Sequence, residues 1–329
     1  MGQTLSGYMF SVAELYFGWR MRSIMSKVRP EDVRVFETYD YEGIPLALDT
    51  LKTTMDELKT FHIRDDDVFI VTYPKAGTTW TQEITSAILH DGDIAQVNKR
   101  HTMQRVPFIE MTVGGAVYDD IPRAVQMLPK LPTTSPRFIK SHLPGQLLPP
   151  QVWEKKIKMI YVIRNPKDVV VSLFHHGALM TPPGKFSFDF VFDGFLDGTL
   201  PYGKWWEHYL YFWERRNEDH ILFLRFEDMK KDLRGTVLKI SEFLGKSFSD
   251  ETIDAIMDHC SFQNMKNNPM TNPDTLIQII HGGKMPEGQS FMRKGQSGSW
   301  KAKLSQTQSE ALEAQVKEVL AGTGLSFDM

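Results

Sequence analysis

With 329 residues, 38 lysines and arginines against 41 aspartates and glutamates, the chain carries a net charge of −3. That balance excludes a global attraction to nucleic acid, so any anion site must be built locally. The single cysteine excludes an intramolecular disulfide and a thiol-based zinc cluster and fits a reducing, cytoplasmic setting; no HExxH spacing suggests a metal either.

The N-terminus comes first. Met1-Gly2-Gln3-Thr4-Leu5-Ser6 fits the myristoylation pattern, glycine second and serine sixth. Tyr8 to Met25 can be drawn as a helix with Ser11, Glu14, Gly18 and Arg22 on one face and Val12, Tyr16 and Trp19 near the other. Arg20, Arg22, Lys27 and Arg29 would then meet anionic lipid. One myristoyl chain binds membrane with a constant of only about 10⁴ M⁻¹, so this cluster would supply the second signal. A chance match, with the helix packed on the domain, accounts for the same residues. The basic residues follow the apolar stretch, the reverse of a signal peptide, and no apolar run approaches the ~20 residues of a membrane span.

Val68 to Val71 is β-branched and aromatic, which predicts a buried strand, and Pro74 stops its ladder. Lys75, Ala76, Gly77, Thr78 and Thr79 follow, then a helical pattern through Ile84, Ile88 and Leu89. Free N–H groups at that helix start, the helix dipole and the Lys75 ammonium converge on one place and favour an anion. The lysine precedes the glycine by two residues and no earlier glycine opens the loop, so this is not the nucleotide-triphosphate GxxxxGK[ST] loop.

Three further strands are predicted at Phe138–His142, Ile157–Arg164 and Ile221–Phe226. Helices are predicted at Lys167–His175, Trp205–Arg216, Asp232–Leu244 and Asp250–His259. The alternation specifies an α/β fold, a mostly parallel central sheet with helices on both faces. Ligands bind beyond the carboxyl ends of such strands, where Thr72, Lys75, Lys140, His142, Arg164 and Ser172 fall. In Arg164-Asn165-Pro166-Lys167-Asp168 an arginine leaves the strand and a proline opens the helix, with Ser172 further along it. A guanidinium clamps phosphate in bidentate fashion, so two separated grips imply a ligand with two phosphate groups. Arg293-Lys294-Gly295 with Gly298 adds a third basic element on a mobile loop.

Together these segments resemble the cytosolic sulfotransferase family, which transfers a sulfuryl group from 3′-phosphoadenosine 5′-phosphosulfate to an acceptor hydroxyl or amine. YPKAGTTW resembles that family's phosphosulfate-binding strand-loop-helix, RNPKDVVVS its 3′-phosphate motif and FMRKGQSGSWK its nucleotide-covering loop. IKSHLP, LRFEDMKKD and SFQNMKNNPMTN support it. The resemblance runs from about Phe36 to Glu310, which implies an extension over 1–35 and a single domain over 36–329. It implies that Lys75, Ala76, Gly77, Thr78 and Thr79 hold the 5′-phosphate, that Arg164 and Ser172 hold the 3′-phosphate, and that Arg293, Lys294 and Gly295 close over it. Trp80 would stack on adenine, beside Phe226 where the family often has tyrosine. Cys260, often threonine in the family, would lie near the base with Ser261 and Phe262.

His142 matches the catalytic histidine, with Lys140 on the same strand face. An imidazole of pKa about 6.5 can take the acceptor's proton as attack begins, while Lys75 and Lys140 serve the oxygens that gain charge. No metal is required. Phe108 matches an acceptor-pocket residue, so Phe108, Lys140 and His142 form the expected acceptor contact for a small, largely apolar molecule. The phenylalanines from Phe186 to Phe195 are read mainly as core packing. Two departures concern Ser299, where the family has aspartate, and Lys301, Ser305, Gln306 and Glu310, where Gln306 replaces an apolar contact of the family's dimer segment and leaves a homodimer open. A dehydratase acting through a sulfated allylic alcohol and a non-catalytic nucleotide-binding scaffold are the competing functions.

Overall fold

The computed structural model of the chain describes residues 34–111, 123–133 and 135–329. The myristoylation pattern and the N-terminal basic cluster lie outside the described residues.

An antiparallel hairpin that the sequence pattern did not predict opens the described chain. Strands β1 (Thr38–Tyr41) and β2 (Ile44–Ala47) pair through a two-residue turn whose Glu42 and Gly43 both have positive φ, 54° and 81°. That is the geometry that matches the twist of paired strands. Pro45 accepts the Tyr202 N–H at 2.7 Å, which docks the hairpin on the body and carries the segment after β2 into the interior.

The central sheet contains the four predicted strands, β3 (Val68–Thr72), β4 (Phe138–Ser141), β5 (Lys158–Ile163) and β6 (Ile221–Arg225), all parallel in the order β4-β3-β5-β6. Their period of two sends Phe69, Val71, Met159, Tyr161 and Ile163 into one core, and Val68, Ile70, Ile160 and Val162 into the other. Each face is covered. Helices α1 (Thr78–Leu89), α5 (Phe226–Lys231), α6 (Leu233–Phe243) and α7 (Asp250–His259), with α8 (Phe262–Asn267), fill the second core. Helices α2 (Pro166–Met180), α3 (Phe188–Asp197), α4 (Trp205–Trp213) and α9 (Gln306–Val319) fill the first.

Helix α4 shows why these sequences pack. Trp205, Tyr209 and Phe212 recur at helical spacing, and Phe212 stacks on Tyr161 of β5 at 3.9 Å between ring centres. Each such ring contributes about 1.5–3 kcal/mol by leaving water. In α3, Phe192 and Phe195 are buried in the same core and Phe190 is exposed. The expectation of core packing therefore holds for Phe192 and Phe195 and fails for Phe190.

Strand β3 leads to β4 on one side, whereas β5 leads to β6 on the other. The connections that follow the paired strands β3 and β5 thus leave in opposite directions, which opens the crevice where doubly wound sheets bind ligands. Among the described residues no helix is long and apolar enough to cross a membrane.

Candidate active site

The loop after β3 is a strained turn. Lys75 has φ 69° and Gly77 has φ 119°, both left-handed, and a Cβ on Gly77 would lie 2.8 Å from Cδ2 of Phe226. The Ala76 N–H is spent on the Tyr73 carbonyl at 3.2 Å. Thr78, Thr79 and Trp80 begin α1, so their N–H groups have no intrahelical acceptor and face whatever sits beyond the helix start. The Thr78 hydroxyl is tied to that of Thr72 at 2.6 Å. Trp80 is fixed by its indole N–H, which donates to the Cys260 carbonyl at 2.9 Å, and by the edge of Phe226 at 5.5 Å.

After β5 the chain leaves the ladder at Arg164, whose N–H turns to the Tyr209 hydroxyl at 3.3 Å while that hydroxyl donates to the Arg164 carbonyl at 3.0 Å. Asn165 caps α2. The Arg164 guanidinium lies 4.3 Å over the Phe226 ring and donates to the carbonyls of Lys75 at 3.3 Å and Gln296 at 2.9 Å. Its buried Nε has no partner. Ser172 stands farther along the same helix.

The loop at 291–300 closes over both. Asp168 accepts from the Gly298 N–H at 2.7 Å, the Ser299 hydroxyl at 3.1 Å and the Trp300 N–H at 3.2 Å. Ser299 also accepts from Arg293 at 3.2 Å, so its hydroxyl bridges Arg293 and Asp168 where an aspartate would set two carboxylates together. Gly295 has φ 59° and presses on Phe262, whose ring a Cβ there would overlap.

Past β4, the His142 N–H goes to the Glu110 carboxylate at 2.6 Å, which is why the ladder ends one residue earlier than predicted. His142 Nδ1 lies 2.7 Å from the Thr72 carbonyl. A carbonyl only accepts, so Nδ1 carries the proton and Nε2 keeps the lone pair. Burial first, then Lys140, hold the imidazole's pKa well below its usual value. The strand-like pairing of Phe108 with Lys140 sets the lysine ammonium 4.0 Å over the Phe108 ring, and Phe108 meets His142 edge-on at 5.0 Å.

Burial and the neighbouring cations Lys140, Arg164 and Arg293 depress the Lys75 ammonium to about 7. Burial lowers Lys140 to about 8. Lys75, Lys140, Arg164, Arg293 and Lys294 form no salt bridge with a carboxylate among the described residues. Glu110 acts on Lys140, and Asp168 and Glu227 on Arg164, only from beyond ion-pair distance, and the five cations, with an orphaned guanidinium nitrogen among them, fit a polyanionic ligand.

These groups line one cavity of about 830 Å³. It brings together Lys75, Gly77, Thr78, Thr79, Trp80, Phe108, Lys140, His142, Arg164, Ser172, Phe226, Phe262, Arg293, Lys294 and Gly295. Ala76, Cys260 and Ser261 do not line it. Ala76 is buried with its N–H already used, the Cys260 thiol lies in the core while its carbonyl holds Trp80, and Ser261 caps α8. In the segment that resembles a dimer patch, Ser305 caps α9 and Gln306 bonds Glu310 at 2.8 Å, all three exposed.

Sequence reasoning missed Asp168, although the motif contains it, and His176, which falls one turn after Ser172 and lines the cavity with a buried, unpartnered Nδ1. It also missed Asp49 and Tyr202, which no local pattern connects to the site.

Comparison with known proteins identifies the class. The sulfotransferase domain model matches residues 65–324. Sulfotransferase 1E1 of Bos taurus is 40% identical over 286 residues, covering 87% of this chain and 93% of the relative. Amine sulfotransferase of Oryctolagus cuniculus is 39% identical over 274 residues, covering 83% and 87%. Retinol dehydratase in complex with androsterone and the inactive cofactor PAP superposes with a TM-score of 0.80 at 28% identity, covering 93% and 95%. Mouse sulfotransferase SULT7A1 complexed with PAP gives 0.66 at 28% identity, covering 87% and 94%. The chain belongs to the sulfotransferase family. It is an enzyme that moves a sulfuryl group from 3′-phosphoadenosine 5′-phosphosulfate, its donor cosubstrate, to a small acceptor.

Proposed function

We propose that the acceptor is a small, largely apolar molecule attacked through a hydroxyl, or an amine, with His142 as the general base. The observation that carries this is the Nδ1 bond to the Thr72 carbonyl, which leaves Nε2 as the only basic nitrogen of a ring that lines the cavity. The depressed imidazole pKa keeps the base unprotonated at neutral pH. As the acceptor oxygen bonds to sulfur and the bond to the departing phosphate oxygen breaks, the proton passes to Nε2. Lys140 and Lys75, aimed into the same cavity, offset the charge on the sulfuryl and departing oxygens. The 5′-phosphate would rest on the N–H groups of Thr78, Thr79 and Trp80, and the 3′-phosphate on Arg164 with Ser172.

Transfer of labelled sulfate to a panel of phenols and sterols tests the proposal, with wild type compared to His142→Ala. Turnover retained by the variant would remove His142 from the role of base.

A second reading has one specific support, the TM-score of 0.80 with retinol dehydratase. A sulfated allylic alcohol that then loses sulfate would yield an alkene in place of a stable ester. Product analysis on an allylic alcohol separates the two outcomes.

A further inference from the structure

One side chain in the cavity has no place in donor binding or proton transfer. Asp49 follows β2, lines the cavity and is largely buried. Burial alone lifts its carboxyl to about 6, and among the described residues it makes no hydrogen bond or ion pair. A largely buried carboxylate is costly to keep charged without a partner, and a ligand cation can be that partner.

Its position lies on the acceptor side. Tyr202 packs edge-on against His142 at 5.7 Å and senses the charge of Glu110 first and of Asp49 after it, so the tyrosine touches the reacting base and has the Asp49 carboxylate within electrostatic reach. Phe36 lines the same cavity. A carboxylate beside aromatic rings is a receptor for an ammonium group, through an ion pair and ring faces together. Lys75, Arg164, Arg293 and Lys294 lie with the phosphate loops and Lys140 lies over Phe108, whereas Asp49 is the one carboxylate among the described residues that line the cavity.

We propose that Asp49 selects acceptors bearing a basic nitrogen distal to the reacting hydroxyl, the ammonium resting on Asp49 while the hydroxyl meets His142. This rests on the sulfuryl-transfer reading above and names its substrate class.

The test compares 4-(2-aminoethyl)phenol with 4-propylphenol, of equal length and differing by the ammonium, as acceptors for wild type, Asp49→Asn and Asp49→Glu. Wild type is expected to prefer the amine in kcat/KM by at least about tenfold, an effect of the size one desolvated ion pair produces. Asp49→Asn should collapse that ratio toward one and Asp49→Glu should keep part of it. A wild-type ratio near one, or one unchanged in Asp49→Asn, overturns the proposal. Calorimetric binding of the same two phenols with 3′,5′-bisphosphoadenosine present keeps it separable from the parent reading. Absent turnover with both phenols would sink sulfuryl transfer to this class, yet tighter amine binding lost in Asp49→Asn would still support the carboxylate's role, and equal binding would remove it.

Discussion

The two ends of the cavity are built on opposite plans. At the donor end Lys75, Arg164 and Arg293 crowd together with no direct ion pair among the described residues, and α1 begins there with N–H groups that its own turns leave free. At the acceptor end Asp49 lines the cavity together with Phe36, Phe108 and Tyr202, while Glu110 is turned to the His142 N–H. The donor end grips by charge and by backbone, which suits a ligand of fixed structure. The acceptor end works by shape with one polar mark, which suits a ligand that varies between enzymes. His142 stands at the border, tied to Thr72 of the donor strand and packed against Phe108 and Tyr202 of the acceptor wall.

That division can be broken by experiment. The largest effect is expected at the border: His142→Ala should reduce kcat by about 10²–10⁴-fold while leaving 3′,5′-bisphosphoadenosine binding nearly intact, as measured by turnover and calorimetry side by side. Equal losses in both would mean that the histidine serves the donor end as well. Next, Arg164→Ala should weaken the bisphosphate by about 10–100-fold and abolish most of its thermal stabilisation, because one phosphate loses a charged partner. Unaltered thermal shifts would deny the second phosphate grip.

A pH effect of about tenfold per unit should follow from the two lysines. Lys75 titrates near 7 and Lys140 near 8 when alone, and a bound polyanion raises both. Binding therefore takes up protons above pH 7, with affinity full below that pH and falling as pH rises. Calorimetry in two buffers of different ionisation enthalpy reads the uptake directly, and none at pH 8 would show the ammonium groups already charged. The smallest effect, a few-fold loss of bisphosphate affinity through faster dissociation, is expected for Asp168→Asn, since the covering loop hangs on that carboxylate by three hydrogen bonds. Stopped-flow release rates would reveal it, with acceptor binding unaffected.

The donor end was legible in the sequence because its parts are short runs of consecutive residues, each folding onto its own helix start: Lys75 to Trp80 onto α1, Arg164 to Asp168 onto α2. The sheet was legible too, since strands buried on both faces read as unbroken apolar runs. The acceptor end was not. Asp49 arrives just after a hairpin, Tyr202 on the loop before α4, and the docking of one on the other, through the Tyr202 N–H to Pro45 and a shared apolar core, brings them together. For Cys260 the sequence offered only a place near the base; that its backbone carbonyl holds Trp80 while its thiol lies in the core is a property of the fold.

Lys75 carries one more implication. Its φ of 69° belongs to a region where a side chain costs about 1–2 kcal/mol that glycine avoids, and its ammonium is buried among like charges. The fold would thus be relieved by glycine at this position, and a variant library sorted by heat resistance alone would enrich Lys75→Gly, discarding the charge that the reaction uses. Stability and turnover pull this single residue in opposite directions.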